Sequence, residues 1–167
     1  MPATRDDLMA MLANLGIKTT TVDHAPVFTV EEAQGLRGQI AGAHTKNLFL
    51  KDKKDALFLL TAPEDAIVDL KHIHHVIGAS GRVSFGKADL LMEVLGVPPG
   101  SVTPFGAIND TAGRVTVVLD ARLMKSDEIN AHPLLNTATT TIAAADLLAF
   151  LRATGREPRI VNLSAEL

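Results

Sequence analysis

Any catalysis in this sequence has to use groups other than thiols, because the chain has no cysteine. Thiol nucleophiles, disulfides and thiolate metal sites are therefore excluded together. His72 and His75 stand three apart in KHIHH, a spacing that puts both imidazoles on one helical face within reach of a metal. No HExxH arrangement or local third ligand accompanies them, so the pair reads as a solvated or RNA-facing polar face. Lys46 opens the apolar run TKNLFL just after the glycine-containing stretch RGQIAGAH. There its ammonium can enter a cleft, provided that anionic or polar partners meet it.

Residues 100 to 110, GSVTPFGAIND, read as an irregular loop with an exposed phenylalanine, Phe105. Glycine and proline punctuate structure, and a loop shaped by Gly100, Pro104 and Gly106 can leave the N–H groups of its other residues and glycines facing a ligand. In HPLLNT, Pro133 biases His132 toward an extended backbone, and Asn136 can cap or brace the turn. His132 lines a pocket or ends a strand, and its ordinary pKa near 6.5 would let it act as a base. No GxSxG, GxGxxG or P-loop is present.

The elements that must position these residues follow from local signals. TRDDLMAMLANLG predicts a helix with a Thr4–Asp7 capping box and a stop at Gly16. TTTVDH predicts a strand, and FTVEEAQGL a short helix started by Thr29 and Glu32. Residues 45 to 50 and 56 to 61 alternate as a hairpin, and PEDAIVDLKHIHHVIG predicts a helix with Ile67, Leu70, His74 and Ile77 on one face. Strands are expected at RVSF, RVTVVLD, TATTTI and PRIVNL, with helices at KADLLMEVLG and AAADLLAFLRATG. The interleaving favours an α/β or α+β fold around a mixed sheet, as one domain over residues 1 to 167.

Composition sets the remaining bounds. The chain is 47% hydrophobic and 21% charged, without an eighteen-residue apolar run, and its polar, acidic start does not resemble a secretory signal. A cytoplasmic protein is expected. A net charge of −3 argues against general coating of nucleic acid while leaving room for a local basic patch.

HAPVFTVEEA, HTKNLFLKD, GSVTPFG and HPLLNTATT, in this order, resemble the bacterial YbaK/ProX family of aminoacyl-tRNA deacylases, whose fold also occurs as the editing insertion of bacterial prolyl-tRNA synthetases. The resemblance runs from about residue 4 to 163. It implies a mixed, partly closed β-sheet flanked by helices. The forms TKNLFL and PFGAIND resemble the free-standing branch acting on Ala-tRNA(Pro). What this implies is trans-editing hydrolysis of mischarged Ala-tRNA(Pro), without metal or organic cofactor. The alternatives are a deacylase for Cys-tRNA(Pro) or Ser-tRNA, and a non-catalytic tRNA-binding module.

Carried over by motif, the resemblance makes Lys46, Gly100 and His132 the catalytic set. Phe28, Val30, Asn47, Pro104, Gly106 and Asn136 become substrate-binding residues. The implied partners are the acceptor stem of mischarged tRNA(Pro) and prolyl-tRNA synthetase, with no role for DNA or a membrane. Lys71, Arg82 and Lys87, at helix and strand ends, are the expected basic grip on that stem.

Overall fold

The computed structural model describes residues 1–26 and 40–164. Phe28, Val30 and the helix expected over FTVEEAQGL lie outside the described residues. Helix α1 (Arg5–Asn14) starts as expected: Thr4 accepts from the Asp7 N–H, and the Asp7 carboxylate accepts from Thr4 in return. Leu8 and Leu12 turn inward, and Gly16, at φ +73°, ends the element.

The strands are β1 (Thr19–Asp23), β2 (Ala43–Lys51), β3 (Leu57–Pro63), β4 (Ser84–Phe85), β5 (Val115–Asp120), β6 (Glu128–Ala131), β7 (Ala138–Ala143) and β8 (Arg159–Val161). The helices that accompany them are α2 (Ile73–Ile77), α3 (Ala88–Leu95) and α4 (Ala144–Ala153). The strands form one mixed sheet in the order β1-β7-β6-β2-β3-β5-β8, with β4 attached to β2. Antiparallel pairing joins β2 to β3, whereas β6 to β2, β3 to β5 and β5 to β8 are parallel. This is the mixed α+β architecture that the interleaved pattern predicts.

The centre of the sheet is buried on both faces. Along β3 every residue is buried, and its side chains alternate between two cores. Leu57 and Leu59 pack with Phe49, Val117, α1, α3 and α4. Phe58, Leu60 and Ala62 pack with Leu50, Val118 and the inward face of α2.

Three expectations change. The helix expected over residues 63 to 78 shrinks to Ile73–Ile77. Asp69 competes with its first turns: its carboxylate accepts from the Lys71 N–H and its carbonyl from the N–H groups of His72 and Ile73. Ile67 consequently stays 56% exposed instead of joining the helical face. The segment GSVTPFGAIND is also far more regular than its composition suggests, forming 3-10 helices at Pro99–Ser101 and Pro104–Asn109. Thr103 caps the second and Pro104 takes its first position, where a missing N–H costs nothing. Phe105 is not exposed; it is fully buried, edge-on to Phe150 with ring centroids 5.4 Å apart. Finally, β6 forms where no strand was expected. No helix among the described residues is long and apolar enough to cross a membrane.

Candidate functional site

The site arises where β2 changes partners. Its first residues pair with β6, Ala43 opposite Ile129 and His44 opposite Asn130, and its last pair with β4, Leu50 opposite Phe85. Both neighbours lie on the edge away from β3, so between them the sheet parts. Thr45 marks the opening, its hydroxyl donating 2.7 Å to the Asn130 carbonyl in place of a ladder bond. Gly42, at φ +102°, makes the preceding turn under Asn130, whose Nδ2 would meet an added Cβ at 3.0 Å.

A cavity of about 260 Å³ fills this fissure, lined by Thr45, Lys46, Asn47, Gly100, His132 and Thr139 among others. Consecutive residues of a strand face opposite sides, yet Thr45, Lys46 and Asn47 all reach the cavity because it wraps the free edge of β2. The Lys46 ammonium is held by the carbonyl of Ala66. A lysine carries three donors, and among the described residues this bond occupies one of them. Asn47 Oδ1 accepts from Thr61 Oγ1 at 2.6 Å, which turns its amide donor away from Thr61.

Gly100 is the second residue of the Pro99–Ser101 turn, where the first N–H groups have no carbonyl within the turn to bond. Among the described residues a Cβ here would approach only Asn136 Nδ2, at 3.5 Å, so glycine keeps the cavity open rather than relieving a backbone clash. The loop is held from beneath. Arg156 donates to the carbonyls of Ala107 (3.1 Å) and Asp110 (2.9 Å) and to the Asp110 carboxylate (2.8 Å). That carboxylate also accepts from the N–H groups of Arg114 and Val115, and the ion pair is almost wholly buried.

His132 comes from the turn between β6 and β7. Leu134 in this turn holds a left-handed backbone, φ 72°, uncommon for a side chain branched and bulky, with its side chain packed in the main core. The His132 ring places Nδ1 at 3.0 Å from the Ala138 carbonyl. A carbonyl only accepts, so Nδ1 carries the proton and the neutral ring presents Nε2 as a lone pair. Burial pushes the His132 pKa below its ordinary value, the Ala138 bond opposes this only in part, and repulsion from His24, whenever that ring is protonated, adds to the fall.

The structure thus gathers Lys46, Asn47, Gly100 and His132 at one cavity and sets Asn136 beside Gly100. Pro104 and Gly106 do not join them. Both are buried under the loop, Gly106 so close to Leu95 that an added Cβ would meet the Leu95 Cβ at 3.1 Å. The structure places both in the packing of the loop and outside the cavity lining. Lys71, Arg82 and Lys87 are exposed near the other end of β2, around α2 and β4. The Lys53 side chain lies over Gly81, and Lys53, Arg82, His72 and His75 all act electrostatically on His74, so cations concentrate there. Lys71 is offset by Asp69. His72 and His75 do not converge: His72 Nδ1 lies 2.7 Å from Asp69, and the His75 ring lies 4.0 Å from that of His74.

Residue typing missed Thr45, Thr103, Asn130 and Thr139. Thr103 had a local signal, a threonine before proline at a helix start. Thr45 and Thr139 had only strand alternation, which tells the face but not the direction of a hydroxyl.

Comparisons with known proteins identify the family and the fold. Residues 24–150, which contain every residue named at the cavity, match the family described as the aminoacyl-tRNA editing domain. Prolyl-tRNA synthetase associated domain-containing protein 1 of Danio rerio is 40% identical over 95% of this chain and 86% of its own. Prolyl-tRNA editing protein ProX of Acetoanaerobium sticklandii is 34% identical over 93% and 95%. A crystal structure described as a candidate trans-editing enzyme for prolyl-tRNA synthetase shares the fold, with a TM-score of 0.74 over 99% of this chain and 100% of that one at 20% identity. The match across the cavity-bearing segments, with relatives aligned over nearly their whole length, places the chain in the aminoacyl-tRNA editing domain family.

Proposed function

We infer that the chain deacylates mischarged tRNA(Pro), with alanine as the misplaced amino acid, acting in trans to prolyl-tRNA synthetase. The observation that carries this reading is the convergence of Lys46, the Gly100 turn and His132 on one small cavity. Ligand sites for drug-sized molecules run to roughly 300–1,000 Å³; a cavity of about 260 Å³ suits an aminoacyl group and its ribose while the rest of the tRNA stays outside.

Water attacks the ester carbonyl carbon, and charge develops on the carbonyl oxygen. The Gly100 N–H meets that oxygen, since donors fixed beforehand stabilise an oxyanion more than the ground state. The bond to the ribose oxygen then breaks, giving free alanine and an intact 3′ hydroxyl. Lys46 anchors the polar aminoacyl-adenosine end, and a ribose hydroxyl orients the water. A second reading makes His132 the proton acceptor; it is favoured by the Nε2 lone pair that the Ala138 bond leaves. Arg82 with Lys53 grips the acceptor stem.

The test is multiple-turnover deacylation of Ala-, Ser-, Cys- and Pro-tRNA(Pro) and Ala-tRNA(Ala). Preference for Ala-tRNA(Pro) supports the reading. Faster release from Cys- or Ser-tRNA(Pro) transfers the activity to that substrate, and binding without release leaves a tRNA-binding module.

A further inference from the structure

Around the cavity, hydroxyl protons point into the protein. Thr45 donates to the Asn130 carbonyl, Thr103 to the His132 carbonyl and Thr141 to Asn130 Oδ1. Thr139, which is 5% exposed and lines the cavity, has its Oγ1 2.8 Å from His24 Nε2. His24 is fixed at its other nitrogen, with Nδ1 2.7 Å from the Ala25 carbonyl, and its backbone N–H bonds to the Thr137 carbonyl at 2.9 Å. Since the Ala25 oxygen can only accept, Nδ1 of neutral His24 holds the proton and Nε2 accepts. The Thr139 hydroxyl must then donate to His24, and only its lone pairs remain for the cavity. His132 Nε2, from the same wall, is likewise an acceptor.

The result is a polarised cavity. Lys46 and Gly100 supply donors from β2 and the loop, with the acidic Glu64 also in the lining next to the start of β2, whereas Thr139 and His132 supply acceptors from β7 and the β6–β7 turn. A wall of acceptors without protons suits a group rich in donors and positively charged, because hydrogen bonds to a charged donor are the stronger kind. The aminoacyl ester has one such group, its α-ammonium.

We propose that His24 is a positioning residue that, by accepting the Thr139 proton, fixes Thr139 as an acceptor for the α-ammonium of the aminoacyl group. The proposal rests on the reading of the cavity as an aminoacyl-ester site. His24 itself touches no substrate. Replacing it frees the Thr139 hydroxyl to rotate and turn its proton toward the ammonium.

The experiment compares alanyl-tRNA(Pro) with lactyl-tRNA(Pro), in which a hydroxyl replaces the ammonium at nearly the same size. The readout is the ratio of kcat/KM for the two esters, because damage to folding or to the ester chemistry lowers both alike. Thr139→Val and His24→Ala should each lower the alanyl-to-lactyl ratio about tenfold or more, the scale of one hydrogen bond to a charged group. Thr139→Ser and His24→Gln should keep most of it, since serine retains the hydroxyl and the glutamine carbonyl can accept its proton. The double variant His24→Ala with Thr139→Val should lose little more than either alone, as two members of one chain do. If His24→Ala does not fold, the Thr139 pair decides through the same ratio. An active wild type whose ratio is unchanged in folded Thr139→Val overturns the proposal alone. A wild type inert on every aminoacyl-tRNA overturns the reading of the cavity and this proposal with it.

Discussion

Thr103 Oγ1 donates a 2.6 Å hydrogen bond to the main-chain carbonyl of His132, tying the glycine–proline loop to the β6–β7 turn. The two catalytic candidates Gly100 and His132 come from segments far apart in the chain, and this bond sets their separation. Thr103→Val should leave the part-buried His132 carbonyl without this donor and cost about 1–3 kcal/mol, seen as a lower Tm. Deacylation should fall further than the stability loss explains, and Thr103→Ser should restore both. A Thr103→Val protein with wild-type Tm and wild-type turnover would show that the loop is held without this bond.

Burial keeps His132 neutral, and the sign of its pH dependence follows. Its folded pKa lies below the unfolded value near 6.5. Between the two values the unfolded chain binds more protons, so the stability contribution is complete above about pH 6.5 and is lost as pH falls through the folded value. If Nε2 takes the proton of the attacking water, kcat/KM should show an acid limb with its midpoint below about 6.5. His132→Gln should remove that limb. An identical acid limb in the variant assigns the titration to another group and leaves water activation to the ribose hydroxyl.

Among the described residues Lys46 makes one hydrogen bond, to the Ala66 carbonyl. Lys46→Ala should therefore lower kcat/KM about a hundredfold or more while shifting stability by no more than about 1 kcal/mol. Circular dichroism melts alongside single-turnover rates separate the two effects. Turnover at the wild-type rate in a folded Lys46→Ala protein would remove this lysine from the reaction.

The cluster around Arg82 sits beyond the far end of β2, about 16 Å from Lys46 to Lys51 at about 3.3 Å per residue. Arg82→Ala should weaken binding of tRNA(Pro) and reduce the slope of log K against log salt by about one. Hydrolysis of a minimal alanyl-adenosine ester should stay unchanged. Equal losses on both substrates would place Arg82 in support of the fold instead.

Much of the fold was legible because its signals are local. Thr4 with Asp7, Gly16 and Gly96 mark helix ends by residue type, and β3 and β5 are apolar runs that fit a strand covered on both faces. The strand β6 carries no such signal. EINA is four residues long, and its parallel pairing with β2 joins residues more than eighty positions apart. The overlong helix prediction failed where Asp69 offered the backbone a turn, which periodicity does not register. In the site, Lys46, Gly100 and His132 were legible from their motifs. Thr103, Thr139 and His24 were not, because their contribution lies in which way a proton points, and that depends on carbonyls brought close only by folding.

The partner change along β2 has a consequence for sequence length. Lys46 shares a face with Leu48 and Leu50, and Asn47 shares the other with Phe49, since those apolar residues enter separate cores. Inserting or deleting a single residue between Ala43 and Phe49 would exchange the two faces, sending the ammonium where the amide belongs and an apolar side chain into the fissure. The same change in the exposed turn at residues 53 to 55 would leave both faces in place. Functional variants should therefore differ in length at that turn and never within this strand, so that the spacing from Gly42 to Phe49 behaves as a fixed ruler for the chemistry.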